Sequence, residues 1–77
     1  MNLSYLKQYC IAKSKEYPAL KDDISDIYYL ANDEIEDGNS EQTECYSAIN
    51  SIDELIENHI KKILELKLEL KQLTRIS

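Results

Sequence analysis

Apolar residues between Cys45 and Leu73 recur at alternating steps of four and three. The series is Cys45, Ile49, Ile52, Ile56, His59, Ile63, Leu66, Leu70 and Leu73, with His59 its one polar member. A 3.5-residue period keeps one seam of a helix facing another helix along its whole length, which is the pattern of a coiled coil. Isoleucine collects at one seam position (Ile49, Ile56, Ile63) and leucine at the other (Leu66, Leu73), a distribution that favours two-stranded pairing.

Two further amphipathic segments precede it. Leu3, Leu6, Cys10 and Tyr17 form a stripe with Tyr9 beside it, and Ser4 is a suitable N-cap, so a first helix is expected over about 4–16. Pro18 pushes Tyr17 out of the helical region and fits the first turn of a second helix, over about 18–37. Leu20, Ile24, Ile27, Tyr28, Ala31 and Ile35 line its apolar face, and Asp22, Asp23 and Asp26 oppose the positive end of its dipole. Gly38 stands where a left-handed residue ends a helix, and Ser40 can cap a third helix over about 40–75. The expected fold is therefore all-α: a single domain, 1–77, of three helices with a turn at 38–39. Gly38 is near the midpoint of the chain, so it reads as a helical hairpin whose first arm is kinked at Pro18. Each arm would span roughly 50 Å.

The far half of the third helix needs more cover than one seam provides. Leu55, Ile60, Leu64 and Leu68 lie beside the main stripe and widen the apolar surface. Such a face is gripped by helix one or by another subunit, and a homo-oligomeric bundle, a dimer first, is expected. Its interface would be Ile56, His59, Ile60, Ile63, Leu66, Leu70 and Leu73. The stretch 64–71 also alternates with period two, as a strand would. The heptad runs through it unbroken and it has no β-branched residue, so helix is preferred.

Composition agrees with an almost wholly helical chain: of 77 residues, one is Gly and one is Pro. Charge adds a second feature. Residues 1–21 carry Lys7, Lys13, Lys15 and Lys21 against Glu16, a net of +3. Residues 22–44 carry Asp22, Asp23, Asp26, Asp33, Glu34, Glu36, Asp37, Glu41 and Glu44 with no base, a net of −9. An acidic middle argues against a nucleic-acid surface, which needs clustered Lys and Arg. No membrane-spanning or signal-type apolar run occurs, and Cys10 and Cys45 fall on apolar faces as free thiols do in a reducing compartment, so a cytoplasmic protein is expected.

Candidate chemistry is sparse. Asp33, Asp37, Gly38 and Glu44 match positions 1, 5, 6 and 12 of a calcium-binding helix–loop–helix, but Ile35 occupies a ligand position and is needed for the core of helix two. The segment reads as a turn with an acidic rim, and no metal or cofactor is expected. His59 lies on the seam without companion ligands and reads as a register-setting polar residue whose protonation near pH 6 would loosen assembly. No nucleophile–base set or glycine-rich phosphate loop can be assembled, so the chain reads as non-enzymatic. Tyr29, amid carboxylates on the outer face of helix two, suits recognition because tyrosine offers contact area at low entropic cost. The expected partner-binding set is Asp22, Asp26, Tyr29, Asp33, Glu36 and Asp37. Its field would steer a basic surface, such as the DNA-binding cleft of a host enzyme.

Residues 20–57 resemble small helical proteins of bacteriophages and prophages. The resemblance is carried by Asp26-Ile-Tyr-Tyr-Leu-Ala31, the Asp33-Glu-Ile-Glu-Asp-Gly38 turn, Ala48-Ile49, Ile52 and Leu55-Ile56. It implies an accessory protein that binds and inhibits or redirects a host or defence protein. Ser51-Ile-Asp-Glu-Leu-Ile56 is also similar to the small sporulation-type aspartyl-phosphate phosphatases, which are helical hairpins. Aligning their Asp on Asp53 places Ile49 where their Ser stands, a departure that argues against phosphatase chemistry. The competing expectation is a structural coiled-coil assembly module in which the acids serve solubility alone.

Overall fold

The computed structural model describes the backbone of residues 1–76 and the side chains of residues 1–74. Ser77, the last residue of the expected domain, and the side chain of Ile76 lie outside the described residues. Three α-helices make up the described residues: α1 (Leu3–Glu16), α2 (Lys21–Glu36) and α3 (Glu41–Ile76), with a 3₁₀ turn at Pro18–Leu20 joining the first two. The stretch 64–71 is helical, within α3.

Local chemistry accounts for each boundary. Asn2, not Ser4, caps α1: its side-chain oxygen accepts the Tyr5 N–H at 2.9 Å, satisfying one donor that a helix start leaves free. Lys13 and Lys15 occupy the last turn, at the negative end of the α1 dipole. Tyr17 leaves the helical region (φ −127°, ψ 75°), as the following proline requires. At the other end of α2, Gly38 has φ +103° and donates to the Ile35 carbonyl at 3.0 Å, while Asn39 donates to the Glu34 carbonyl at 3.0 Å. That pair of bonds is the Schellman arrangement, and it needs a left-handed residue that glycine supplies without a side-chain penalty. Ser40 then caps α3, its hydroxyl oxygen accepting the Thr43 N–H at 3.4 Å.

The chain reverses at Pro18, where the sequence suggested a kink within one long arm. One fixed φ at proline fits either course. The 3₁₀ turn after the non-helical Tyr17 swings α2 back along α1, and α1 also meets α3. The Leu3 N–H donates to Glu41 Oε2 at 2.9 Å, at the start of both helices. Tyr17, at the far end of α1, meets His59 edge-on, ring centroids 6.2 Å apart. So α1 and α3 run parallel with α2 antiparallel between them, an up–down–up head. Its core is Leu6, Cys10, Leu20, Ile24, Ala31, Cys45, Ala48, Ile52 and Ile56, with Leu3, Tyr9, Tyr17, Ile27, Tyr28, Ile35, Ile49 and Leu55 packed against it.

Because the chain reverses at Pro18, α1 reaches only as far as His59 and leaves the rest of α3 uncovered. The molecule measures 59 × 19 × 17 Å, and the first dimension is α3 itself. Past His59, α3 continues as a bare stalk for roughly 25 Å.

Candidate functional site

Two surfaces stand out, one on the stalk and one on the head. Along the stalk, Ile60, Ile63, Leu64, Leu66, Leu68, Leu70 and Leu73 are all exposed, from 40% at Ile63 to 65% at Leu73. The same seam is buried inside the head, where Cys45 and Ile52 are fully covered. One heptad series thus serves two environments, and the change occurs at His59.

Of the residues expected at an oligomer interface, the structure places Ile60, Ile63, Leu66, Leu70 and Leu73 on this bare face. Ile56 is instead a core residue, 9% exposed, because α1 and α2 extend far enough to cover it. His59 is half-buried and its ring stands at 86° to that of Tyr17, so it sits at the junction of head and stalk.

On the head, α2 turns Ile24 and Ala31 inward and sends Asp22, Asp26, Tyr29, Asp33, Glu36 and Asp37 to solvent. Tyr29 is 63% exposed, its ring edge-on to Tyr28 with centroids 5.5 Å apart. The ion pairs among the described residues, Lys13–Glu16 and Lys61–Glu57, involve none of these carboxylates. Glu36 accepts a hydrogen bond from the Asn32 amide at 3.4 Å. The acidic turn is tied by Asn39, whose amide donates to Glu34 at 2.8 Å and to Glu44 at 3.5 Å. Ile35 packs against the core, which removes it as a ligand. Among the described residues, no three His, Cys, Asp or Glu side chains are grouped to hold a metal. No helix of the described residues is long and apolar enough to cross a membrane.

One feature was not anticipated from sequence. On the side of the head away from α3, α1 and α2 leave an open groove of about 370 Å³. Cys10, Ile11, Tyr28 and Tyr29 line it together with Lys7, Lys15 and Lys21. Lys7, Ile11 and Lys15 recur at four-residue steps, a signal that was available in the sequence. It gains meaning once α2 is known to lie beside α1.

Burial shifts three groups. Tyr9 is pushed up to about 12, chiefly by desolvation, with a further contribution from the hydrogen bond it donates to Asp53. The Cys10 and Cys45 thiols are pushed up, in both cases chiefly by burial, which keeps them protonated and inert. Comparison with protein-family models, curated proteins and solved structures finds no match to this chain.

Proposed function

We propose that the chain is a non-catalytic interaction module: a three-helix head that holds out an amphipathic stalk for pairing with the stalk of another copy. The observation that carries this reading is the bare apolar face from Ile60 to Leu73. A contiguous apolar surface of this kind on a small protein marks an interaction site. The seam continues the heptad of the head without a break, so the surface is shaped for another helix. Sedimentation of the full chain tests it. Replacing Ile63 and Leu66 together with Asp should lower the mass of the assembly, since burying an unpaired charge is strongly unfavourable. An unchanged mass would overturn the reading.

A second reading is supported by the acidic face of α2. Exposed carboxylates outside any ion pair among the described residues, with Tyr29 among them, suit a basic partner protein, as a phage-type accessory protein that inhibits or redirects a host protein would use. Co-purification from a bacterial host with the wild type, but not with Asp26, Asp33 and Asp37 changed to Lys, is the expected outcome. Equal recovery with both would count against it.

A further inference from the structure

The head carries a groove whose charge is opposite to that of the chain. Fifteen acids stand against nine bases in the sequence, yet Lys7, Lys15 and Lys21 line the cleft between α1 and α2 and no carboxylate does. None of the three forms an ion pair among the described residues, whereas Lys13 of the same α1 pairs with Glu16 and lies over the Tyr9 ring. Ser14 and Ser25 also line the groove, half-buried, and neither hydroxyl makes a hydrogen bond among the described residues. A helical serine can bond back to the carbonyl one turn earlier. These two do not, and their donors remain available. We propose that this groove is a binding site for a small organic anion, a phosphate monoester on an aromatic body.

The chain places these groups in the order such a ligand needs. Antiparallel packing about the Pro18 reversal sets Ser14 and Lys15, near the end of α1, beside Lys21 and Ser25, in the first turns of α2. Two ammonium groups and two hydroxyls there match a phosphate monoester, which carries a charge of roughly −1.5 to −2 and accepts hydrogen bonds on three oxygens. Farther along, Ile11, Tyr28 and Tyr29 offer an apolar wall, and Tyr29 is 63% exposed, so its ring is open to a second ring. Lys7 stands two helical turns before Lys15, about 12 Å along α1 and beyond reach of the same phosphate. It bounds the other end, where a cation beside an aromatic ring is favourable. Size favours a small ligand over a protein segment, because the volume of about 370 Å³ lies at the lower end of the range for small-molecule sites. An acidic helix laid along the groove would run on over Asp22, Asp26 and Asp33 on the outer face of α2, like charge against like. The site is separate from the stalk, so its failure and that of the stalk reading are distinct.

Phenyl phosphate titrated into the full-length chain and followed by amide NMR is the test, with inorganic phosphate and phenol as its two halves. Shifts centred on Ser14, Lys15, Lys21, Ser25 and Tyr29 should saturate below about 10 mM, with binding about tenfold or more tighter than to either half. Lys15→Gln with Lys21→Gln should weaken binding by about tenfold or more, since the phosphate then loses both cations. Lys61→Gln with Lys62→Gln on the stalk, an equal loss of charge, should leave it unchanged. Tyr29→Ala should weaken phenyl phosphate and leave inorganic phosphate as before. All five positions are exposed, and circular dichroism confirms that each variant is folded. No saturable shift, shifts spread equally over the stalk lysines, or binding indifferent to the groove variants would each overturn the proposal. Two other occupants would also overturn it. A lower sedimenting mass for Lys15→Gln with Lys21→Gln, without a response to phenyl phosphate in the wild type, would assign the groove to a second copy. A response to a glutamate-rich helical peptide and not to phenyl phosphate would assign it to an acidic protein.

Discussion

The hydroxyl of Tyr9 on α1 donates a hydrogen bond to the carboxylate of Asp53 on α3, joining two helices that lie far apart in the chain. Only a reversal at Pro18 brings these residues together, so the bond is specific to the up–down–up head. Tyr9→Phe should destabilise the fold by about 1 kcal/mol, the net worth of a typical hydrogen bond. Urea denaturation at neutral pH measures it.

The same tyrosine gives a pH dependence whose sign can be worked out. Its folded value, about 12, lies above the ordinary 10 of an unfolded chain. The protonated form is thus favoured by folding. Its contribution is complete below the unfolded value and is lost as pH rises from there through the folded one. Alkaline unfolding should steepen over that window in the wild type and flatten in Tyr9→Phe. Identical alkaline profiles would refute the assignment.

Gly38 sits at φ +103° with open space where a side chain would begin. Gly38→Ala would meet no clash yet would force an L residue into a conformation it disfavours. A loss of about 1 kcal/mol is expected, or roughly 4–8 °C in Tm for a domain of this size. A thermal melt decides it.

Core and stalk should respond differently to the same chemistry. Ile52 is fully buried, so Ile52→Ala should cost about 2–5 kcal/mol, a large share of the stability of so small a domain. Leu70 is 63% exposed, so Leu70→Ala should leave the denaturation of dilute protein almost unchanged and lower the apparent mass of concentrated protein. Comparable losses from both in dilute protein would contradict the boundary placed at His59.

Cys10 (7% exposed) and Cys45 (fully buried) should resist thiol reagents in the native protein and react promptly in urea. Their protonated state slows attack, and access requires the head to open. Native labelling as fast as in urea would show that the head is not packed as described.

Much of this fold was legible in the chain. The inward face of α2 followed from the spacing of Ile24, Ile27, Ala31 and Ile35, and Gly38 marked its turn by backbone chemistry alone. The path at Tyr17–Pro18 was not legible, because a proline excludes helix without choosing between bend and reversal. Ile56 was misplaced for a related reason: a heptad position carries the same signature whether its partner helix belongs to the same chain or to another. The α1–α2 groove was missed because Lys7, Ile11 and Lys15 acquire their relation to Lys21, Tyr28 and Tyr29 only through antiparallel packing.

The bare stalk has a further consequence for how the protein behaves at different abundance. A helical segment of this length, without tertiary support, is marginal in water, because propagation barely outweighs the cost of nucleation. Residues 60–74 have the head to template their first turn and, among the described residues, no other helix beside them. Pairing with a second stalk would supply the missing stabilisation, so folding of this segment and association become one equilibrium. Helical circular dichroism per residue should then rise with protein concentration, and amide exchange in the stalk should slow in step. The chain would in this way register its own concentration as the length of its last helix.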